Sequence, residues 1–281
     1  MGVRSAFVSL VGRPNVGKST LLNALIGKKV SIVSDKPQTT RTRVRGILNR
    51  GHAQLVFVDT PGLHKATTAL GERVNATALE STRDADIVCL VADATQPFGS
   101  GDRWVSEQFD VRQAIVVLNK TDAVSRQKAL GQLAKLAELG AAEYFPVSAK
   151  TGDGLEQLID ELAKRAPDGP AMFPPDMVSE TPQAEWVAEL VREQLLALTR
   201  EELPYSIATR VTEWEWPRVR CEIIVERESQ KGMVIGKSGS VLKQVGIEVR
   251  KQIPVGAFLE LFVAVDKDWQ HRPDRVERLG Y

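Results

Sequence analysis

Eight consecutive residues, Gly12 to Ser19 (GRPNVGKS), have the types and spacing needed to hold a chain of phosphates. They fit G-x-x-x-x-G-K-[ST] at every fixed position. Glycines let the backbone turn its N–H groups inward, and the N-terminus of a following helix adds partial positive charge, so such a loop is an anion nest. Gly12, Arg13, Pro14, Asn15, Val16, Gly17, Lys18, Ser19 and Thr20 are the expected phosphate-side contacts. Lys18 supplies a point charge to the β- and γ-phosphates and is the first catalytic candidate; Ser19 offers its hydroxyl to Mg²⁺. The flanks agree. Ala6 to Val11 alternates like a strand, and Thr20 to Ile26 reads as a helix ending near Gly27.

The next candidates lie at the ends of further strands. Val44–Leu48 and Gln54–Val58 read as two strands joined across Asn49-Arg50-Gly51, and the second delivers Asp59-Thr60-Pro61-Gly62. Asp59 can hold Mg²⁺ through water, and Gly62 can present its N–H to a γ-phosphate. Between phosphate loop and hairpin, Ser34 to Arg43 is polar and aperiodic, which predicts a switch loop. Thr40 is the first choice to bind the metal only when the γ-phosphate is present, and Thr39 the second. The apolar run Ala114–Leu118 ends in Asn119-Lys120-Thr121-Asp122. The Asp122 carboxylate can accept from guanine N1–H and its exocyclic amine, a pair adenine lacks. Asn119 can tie this loop to the phosphate loop, and the Lys120 stem can cover the base plane. After a strand from Tyr144 to Val147, the N–H groups of Ser148, Ala149 and Lys150 can meet guanine O6.

Four motifs in this order, each at a strand end, place a ligand along one edge of a sheet. A helix from Leu155 to Lys164 closes that unit. At 281 residues the chain exceeds one ordinary core, so two domains are expected. With 43% hydrophobic and 26% charged residues it has an ordinary globular composition, and a net charge of +1 makes any nucleic-acid site local. Met1 to Ser5 runs straight into a strand, without a signal region, and no apolar run reaches the length of a membrane span. Cys89 and Cys221 sit in strand-like apolar surroundings and fit a reducing cytoplasm. His52, His64 and His271 have no metal-ligand spacing.

Residues 167–182, with Pro167-Asp168-Gly169-Pro170 and Phe173-Pro174-Pro175, read as a semi-rigid linker between a domain over 1–166 and a second over 183–281. Thr181 is placed to cap the next helix, with Pro182 at its first position. Tyr205–Val211 and Val219–Glu226 read as strands, then comes a helix ending in Val234 and Ile235, and then the loop Gly236-Lys237-Ser238-Gly239. A helix over Val241–Ile253 and a strand over Phe258–Val265 follow. From Lys231 to Lys251 five basic residues stand against the single acid Glu248. Lys237 and Lys243 can meet phosphates, backbone donors of the loop add to them, and Val234 and Ile235 either floor a groove for splayed bases or simply pack.

The first half, through NKTD and SAK, resembles the Ras-like GTPases, which implies a mainly parallel sheet with helices on both faces and one antiparallel edge from the Val44–Val58 hairpin. The element order of the second half resembles a type II KH domain, an α+β RNA-binding module. The combination, with PQTTR at Pro37–Arg41, DTPGLH at Asp59–His64, ELPYS at Glu202–Ser206 and the GKSG loop, resembles the Era family of bacterial GTPases over nearly the whole chain. That resemblance implies a GTP/GDP and Mg²⁺ switch that binds the 3′ end of 16S ribosomal RNA and assists 30S subunit assembly. It also implies a cytoplasmic protein, some of it loosely at the inner membrane, and a monomer is expected. Leu63 stands where Ras-like enzymes carry the water-orienting glutamine, so slow unaided hydrolysis is expected. Asn15 matches the position that helps hold K⁺ in related potassium-activated GTPases. The alternative is an assembly GTPase whose KH-like half docks protein, and the GKSG loop, unnecessary for such docking, argues against it. A membrane-bound signalling GTPase finds no lipidation motif.

Overall fold

The computed structural model describes residues 3–199 and 203–281. Along the chain run β1 (Arg4–Val11), α1 (Lys18–Ile26), β2 (Val44–Arg50), β3 (Ala53–Asp59), α2 (Ala69–Arg83), β4 (Ile87–Asp93), α3 (Ser100–Ser106), β5 (Ile115–Asn119), α4 (Arg126–Ala137), β6 (Glu143–Pro146) and α5 (Leu155–Arg165). Then come α6 (Gln183–Leu198), α7 (Leu203–Ser206), β7 (Ala208–Glu215), β8 (Arg218–Val225), α8 (Glu228–Ile235), α9 (Ser240–Arg250), β9 (Phe258–Val265) and α10 (Pro273–Arg278). The chain divides into two compact units. The first holds the residues up to Val33, with Thr40–Ala66 and Arg73–Glu180; the second holds Ser34–Thr39, Thr67–Glu72 and the chain from Thr181.

In the first unit six strands lie in the order β2-β3-β1-β4-β5-β6, parallel except for the β2–β3 hairpin. The central strands carry continuous apolar runs because both faces are covered. Ala6, Val8 and Leu10 bury with Leu21, Leu22 and Leu25 of α1 and Leu158 and Leu162 of α5 on one face; Val11, Leu90, Val116 and Leu118 bury with Ala78 of α2 and Leu136 of α4 on the other. Parallel pairing sends every loop after β1, β3, β4, β5 and β6 to one edge, where the motif residues gather. The β2–β3 turn is shorter than expected. Asn49 and Arg50 still pair, with Gln54 and Ala53, so the reversal falls on Gly51, at φ 57°, and His52.

The proline-rich stretch after α5 is a strap on this unit. Gln54, 1% exposed, accepts from the Met172 and Phe173 N–H groups at 2.7 and 2.9 Å, and the Ile47 N–H donates to the Val178 carbonyl at 3.0 Å. Covering β2, the strap protects an edge that otherwise offers unpaired backbone groups.

The second unit carries a three-stranded sheet, β7-β8-β9, antiparallel then parallel, with α6, α8 and α9 on its apolar side. Cys221, Ile223 and Val225 are fully or almost fully buried beneath them, as are Val191 and Leu195 of α6 and Val245 and Val249 of α9. The helix–strand–strand–helix–loop–helix–strand order is the expected one. Two local expectations change. Pro182 has ψ 145° and precedes the helix, so Thr181 is not its N-cap. Tyr205 and Ser206 form the end of a helical turn, and β7 starts only at Ala208. The chain after β9 also folds: Trp269, 0% exposed, donates its indole N–H to the Ser206 carbonyl at 3.0 Å. Glu202 of the ELPYS segment, like Met1 and Gly2, lies outside the described residues.

Both cysteines are buried and free. Burial pushes each thiol up to about 12, so neither is a nucleophile at neutral pH. No helix among the described residues is long and apolar enough to cross a membrane.

Candidate nucleotide site and helix–loop–helix clamp

The phosphate loop is closed by contacts no larger residue would allow. A Cβ on Gly12 would lie 2.5 Å from the Val91 carbonyl oxygen, and one on Gly17, at φ 94°, would lie 2.5 Å from Asn119 Nδ2. Lys18 opens α1 and is 6% exposed. Its ammonium donates to the Gly12 and Arg13 carbonyls at 3.1 and 2.9 Å, which folds the side chain back over the loop. Burial pulls its pKa down to about 8, against the attraction of Asp59. The Arg13 guanidinium turns outward to Asp102 of α3 at 2.6 Å, so this residue serves the loop through its backbone.

Beside Lys18, hydroxyls from distant parts of the chain converge on one carboxylate. Asp59 is 0% exposed; its Oδ2 accepts from Ser19 at 2.7 Å and Thr40 at 3.2 Å, and those two hydroxyls lie 2.9 Å apart. Burial pushes the Asp59 pKa up, while the charge of Lys18 and the hydroxyl donors pull against it. Asp59 Oδ1 is buried with no hydrogen-bond partner. An orphaned carboxylate oxygen beside two hydroxyls is an all-oxygen set that fits Mg²⁺ completed by water and phosphate. No cluster of three or more His, Cys, Asp or Glu among the described residues offers a different metal site. Thr39, the second choice in the switch loop, turns its hydroxyl to the Lys36 carbonyl at 2.7 Å. Gly62 lies against the loop so closely that a Cβ there would meet the Pro14 nitrogen at 2.6 Å. Leu63 is buried at 1% exposure among core side chains, its N–H on the Gly12 carbonyl at 3.2 Å. It cannot orient water.

The residues expected to read the base form one network. Asn119 donates to the Val16 carbonyl at 3.0 Å and accepts from the Ala149 N–H at 3.1 Å, tying three loops together. Lys120 reaches the Asn15 carbonyl at 2.7 Å and Asp93 at 2.6 Å. Burial opposes ionisation of Asp93, yet hydrogen bonds from Lys120 and Thr95 outweigh it and hold the carboxyl below its usual range. Ser148, fully buried, donates to Asp122 Oδ1 at 2.7 Å, leaving Oδ2 of that exposed carboxylate open to a base. Thr20 is half-buried beside Ser19, and Lys150 is exposed at the rim. Asp93 and Ser31 join the site without having been singled out by sequence; a strand-end position was the only signal for Asp93, and Ser31 had none.

In the second unit α8 ends at Ile235, Gly236 adopts φ 75°, and Gly239, at φ 77°, stands before α9. A Cβ on Gly236 would come 2.6 Å from Val241 Cγ2, whereas nothing crowds Gly239. Lys237, Ser238 and Lys243 are exposed; Ile235 is half-buried. Val234 is 0% exposed, so it packs inside the unit and is no groove floor.

A phosphate loop, an oxygen cluster for Mg²⁺ and a guanine reader on a Ras-like sheet define a guanine-nucleotide switch enzyme. The two glycine-flanked helices define a KH unit. The family model described as "50S ribosome-binding GTPase" matches residues 7–120, and that described as "KH domain" matches residues 202–270. GTPase Era of Heliobacterium modesticaldum is 42% identical over 291 residues, covering 99% of this chain and 97% of its own. GTPase Era of Mycobacterium tuberculosis is 44% identical over 296 residues, covering 99% and 98%. Among solved structures, Era in complex with MgGDPNP and nucleotides 1506–1542 of 16S ribosomal RNA superposes with a TM-score of 0.95 at 37% identity, over 99% of both chains. A variant of Aquifex aeolicus Era bound to GDP and tetrafluoroaluminate superposes with a TM-score of 0.94, also at 37% identity over 99% of both. This chain belongs to the Era family of GTPases.

Proposed function

We propose that this protein is a GTP-hydrolysing switch that binds the 3′ end of 16S ribosomal RNA through its KH domain and assists 30S subunit maturation. The observation that carries the GTP half is the convergence of Ser19, Thr40 and Asp59 beside Lys18, with the Asp122–Ser148 reader on the same sheet edge. Mg²⁺, held by Ser19, Thr40 and Asp59, neutralises charge on the β- and γ-phosphates when bound. Lys18 holds the phosphates, the Gly62 N–H meets the γ-phosphate, and Thr40 reports its presence to the switch loop. Asn119, Lys120, Asp122 and Ser148–Lys150 hold guanine. The working boundaries are a GTPase domain over 1–166, a strap over 167–182 and the KH domain over 183–281.

The RNA half rests on the GKSG loop, its two exposed lysines and the relative solved with 16S ribosomal RNA. Gly236 and Gly239 let the loop backbone approach the phosphates of a single strand, and Lys237 and Lys243 neutralise them. The switch residue before Thr40 supports coupling of the two halves: Thr39 belongs to the second unit, and its carbonyl accepts from the fully buried Arg192 of α6. The protein acts in the cytoplasm, as a monomer, with peripheral contact to the inner membrane as a secondary location.

The test titrates a single-stranded RNA matching the 16S 3′ end, with GDP and with a non-hydrolysable GTP analogue, onto the natural protein and Lys237→Ala/Gly239→Asp. Gly236 is left intact because any side chain there collides with Val241. Binding should be tight with the analogue and weaken at least tenfold in the variant, with GTP affinity unchanged. Equal RNA binding by the variant would transfer support to the reading of the KH unit as a protein-docking domain.

Asn15, at φ 65° in the phosphate loop, supports K⁺ as a second cation that supplies the transition-state charge Leu63 cannot organise. GTP turnover should then be several-fold faster in potassium than in sodium buffer of equal ionic strength. Equal rates refute the K⁺ role.

A further inference from the structure

Asp59 receives a third hydroxyl that no motif assigns. Ser31 lies in the irregular stretch between α1 and β2, is 1% exposed, and donates its Oγ–H to Asp59 Oδ2 at 3.0 Å. Its position is fixed from α1. Asn23 sits four residues after Ser19, on the same helix face. Its Oδ1 accepts from the Val30 and Ser31 N–H groups at 2.8 and 3.0 Å, and its Nδ2 donates to the Ser31 carbonyl at 2.8 Å. Val30 and Ile32 on either side are buried at 5% and 2% exposure. With its backbone N–H and carbonyl both held by one side chain, Ser31 has only its hydroxyl to offer, and it is aimed at Asp59.

The three hydroxyls differ in what moves them. Ser19 belongs to α1 and Thr40 to the switch loop, and both are assigned to the metal. Ser31 is tied to α1 through Asn23 and not to the switch loop that carries Thr40. Hydroxyl protons are thereby directed to Oδ2 alone, and Oδ1 stays free.

We propose that Ser31 is a positioning residue for Mg²⁺, held by Asn23, whose hydroxyl keeps the Asp59 carboxylate in the orientation that would serve the metal's water shell even in the GDP state. The inference rests on the assignment of Ser19, Thr40 and Asp59 to Mg²⁺. Its consequence is specific to the GDP complex, because without the γ-phosphate and Thr40 the ion has few other anchors.

The experiment measures release of a fluorescent GDP from the full-length protein as a function of free Mg²⁺, and again in excess EDTA. Ser31→Ala removes one oxygen and no packing. The Mg²⁺ concentration that half-suppresses release should rise about tenfold, the effect of one charge-assisted hydrogen bond. Release in EDTA should not change. An unchanged Mg²⁺ midpoint overturns the proposal, and so does an equal acceleration with and without metal, which would mark Ser31 as a support of the nucleotide loops in general. Asp59→Asn is measured beside it. If that variant also leaves the Mg²⁺ dependence untouched, the metal assignment itself falls. If Asp59→Asn abolishes the dependence while Ser31→Ala leaves it intact, only the role of Ser31 is refuted.

Discussion

Asp122→Asn turns this protein from a guanine binder into a xanthine binder. The natural carboxylate accepts from N1–H and from the exocyclic amine of guanine. Ser148 decides how an asparagine sits in its place. The Ser148 oxygen accepts from the Thr151 N–H at 3.1 Å, and its own proton goes to Oδ1 of residue 122 at 2.7 Å. An amide oxygen takes that position, so Nδ2 faces the base. Nδ2 donates to the C2 oxygen of xanthine but opposes the guanine amine, donor against donor. Losing two hydrogen bonds to a charged acceptor at about 1.5–3 kcal/mol each predicts a fall in GDP affinity of about 10²–10⁴-fold. Xanthosine diphosphate should gain by a comparable factor. Competition between the two diphosphates for the variant reads both changes at once. Retained GDP affinity would mean that Asp122 does not read the base, and Ser148→Ala should then also be silent.

Most of the nucleotide site was legible because each of its parts is a short motif at the end of a strand. GRPNVGKS, DTPG, NKTD and SAK each need only local backbone geometry, and parallel pairing carries all four to one edge. Thr40 over Thr39 could be read from order alone, since the residue nearer β2 is the one brought to Asp59. What stayed hidden depends on contacts between segments without a pattern. Ser31 is an ordinary serine until Asn23 fixes its backbone and Asp59 receives its proton. Arg13 reads as a phosphate-side contact by its place in the loop, yet Asp102, 89 positions later, takes its guanidinium. Proline composition announced a linker, but composition does not show where Gln54 will catch the Met172 and Phe173 backbone. In the second unit the helix–strand order and the GKSG loop were legible. The start of β7 was not, because the turn Leu203–Ser206 and the indole of Trp269 decide it from both sides.

Lys18→Ala should lower affinity for GDP and GTP by about 10²–10³-fold, the worth of one or two charge-assisted hydrogen bonds. The lysine is preorganised: two of its three N–H groups already bind the Gly12 and Arg13 carbonyls, leaving one for phosphate. Two roles follow, and they separate by ligand. If Lys18 acts on phosphate, guanosine binds the variant as it binds the natural protein, and only the phosphorylated ligands weaken. If it acts mainly by holding the loop, guanosine weakens as much. Titration calorimetry with guanosine, GDP and GTP distinguishes the two, and near-normal GDP affinity would mean that the phosphate loop is misassigned. The pH dependence supplies a second sign. Burial lowers the lysine's pKa from 10.5 to about 8, so above pH 8 the free protein progressively loses this charge. Bound phosphates favour the ammonium, so binding at higher pH takes up a proton, and GDP affinity of the natural protein falls as pH rises from 8 toward 10.5. The alanine variant has no such proton to take up. Its affinity is already low, and this slope should be absent.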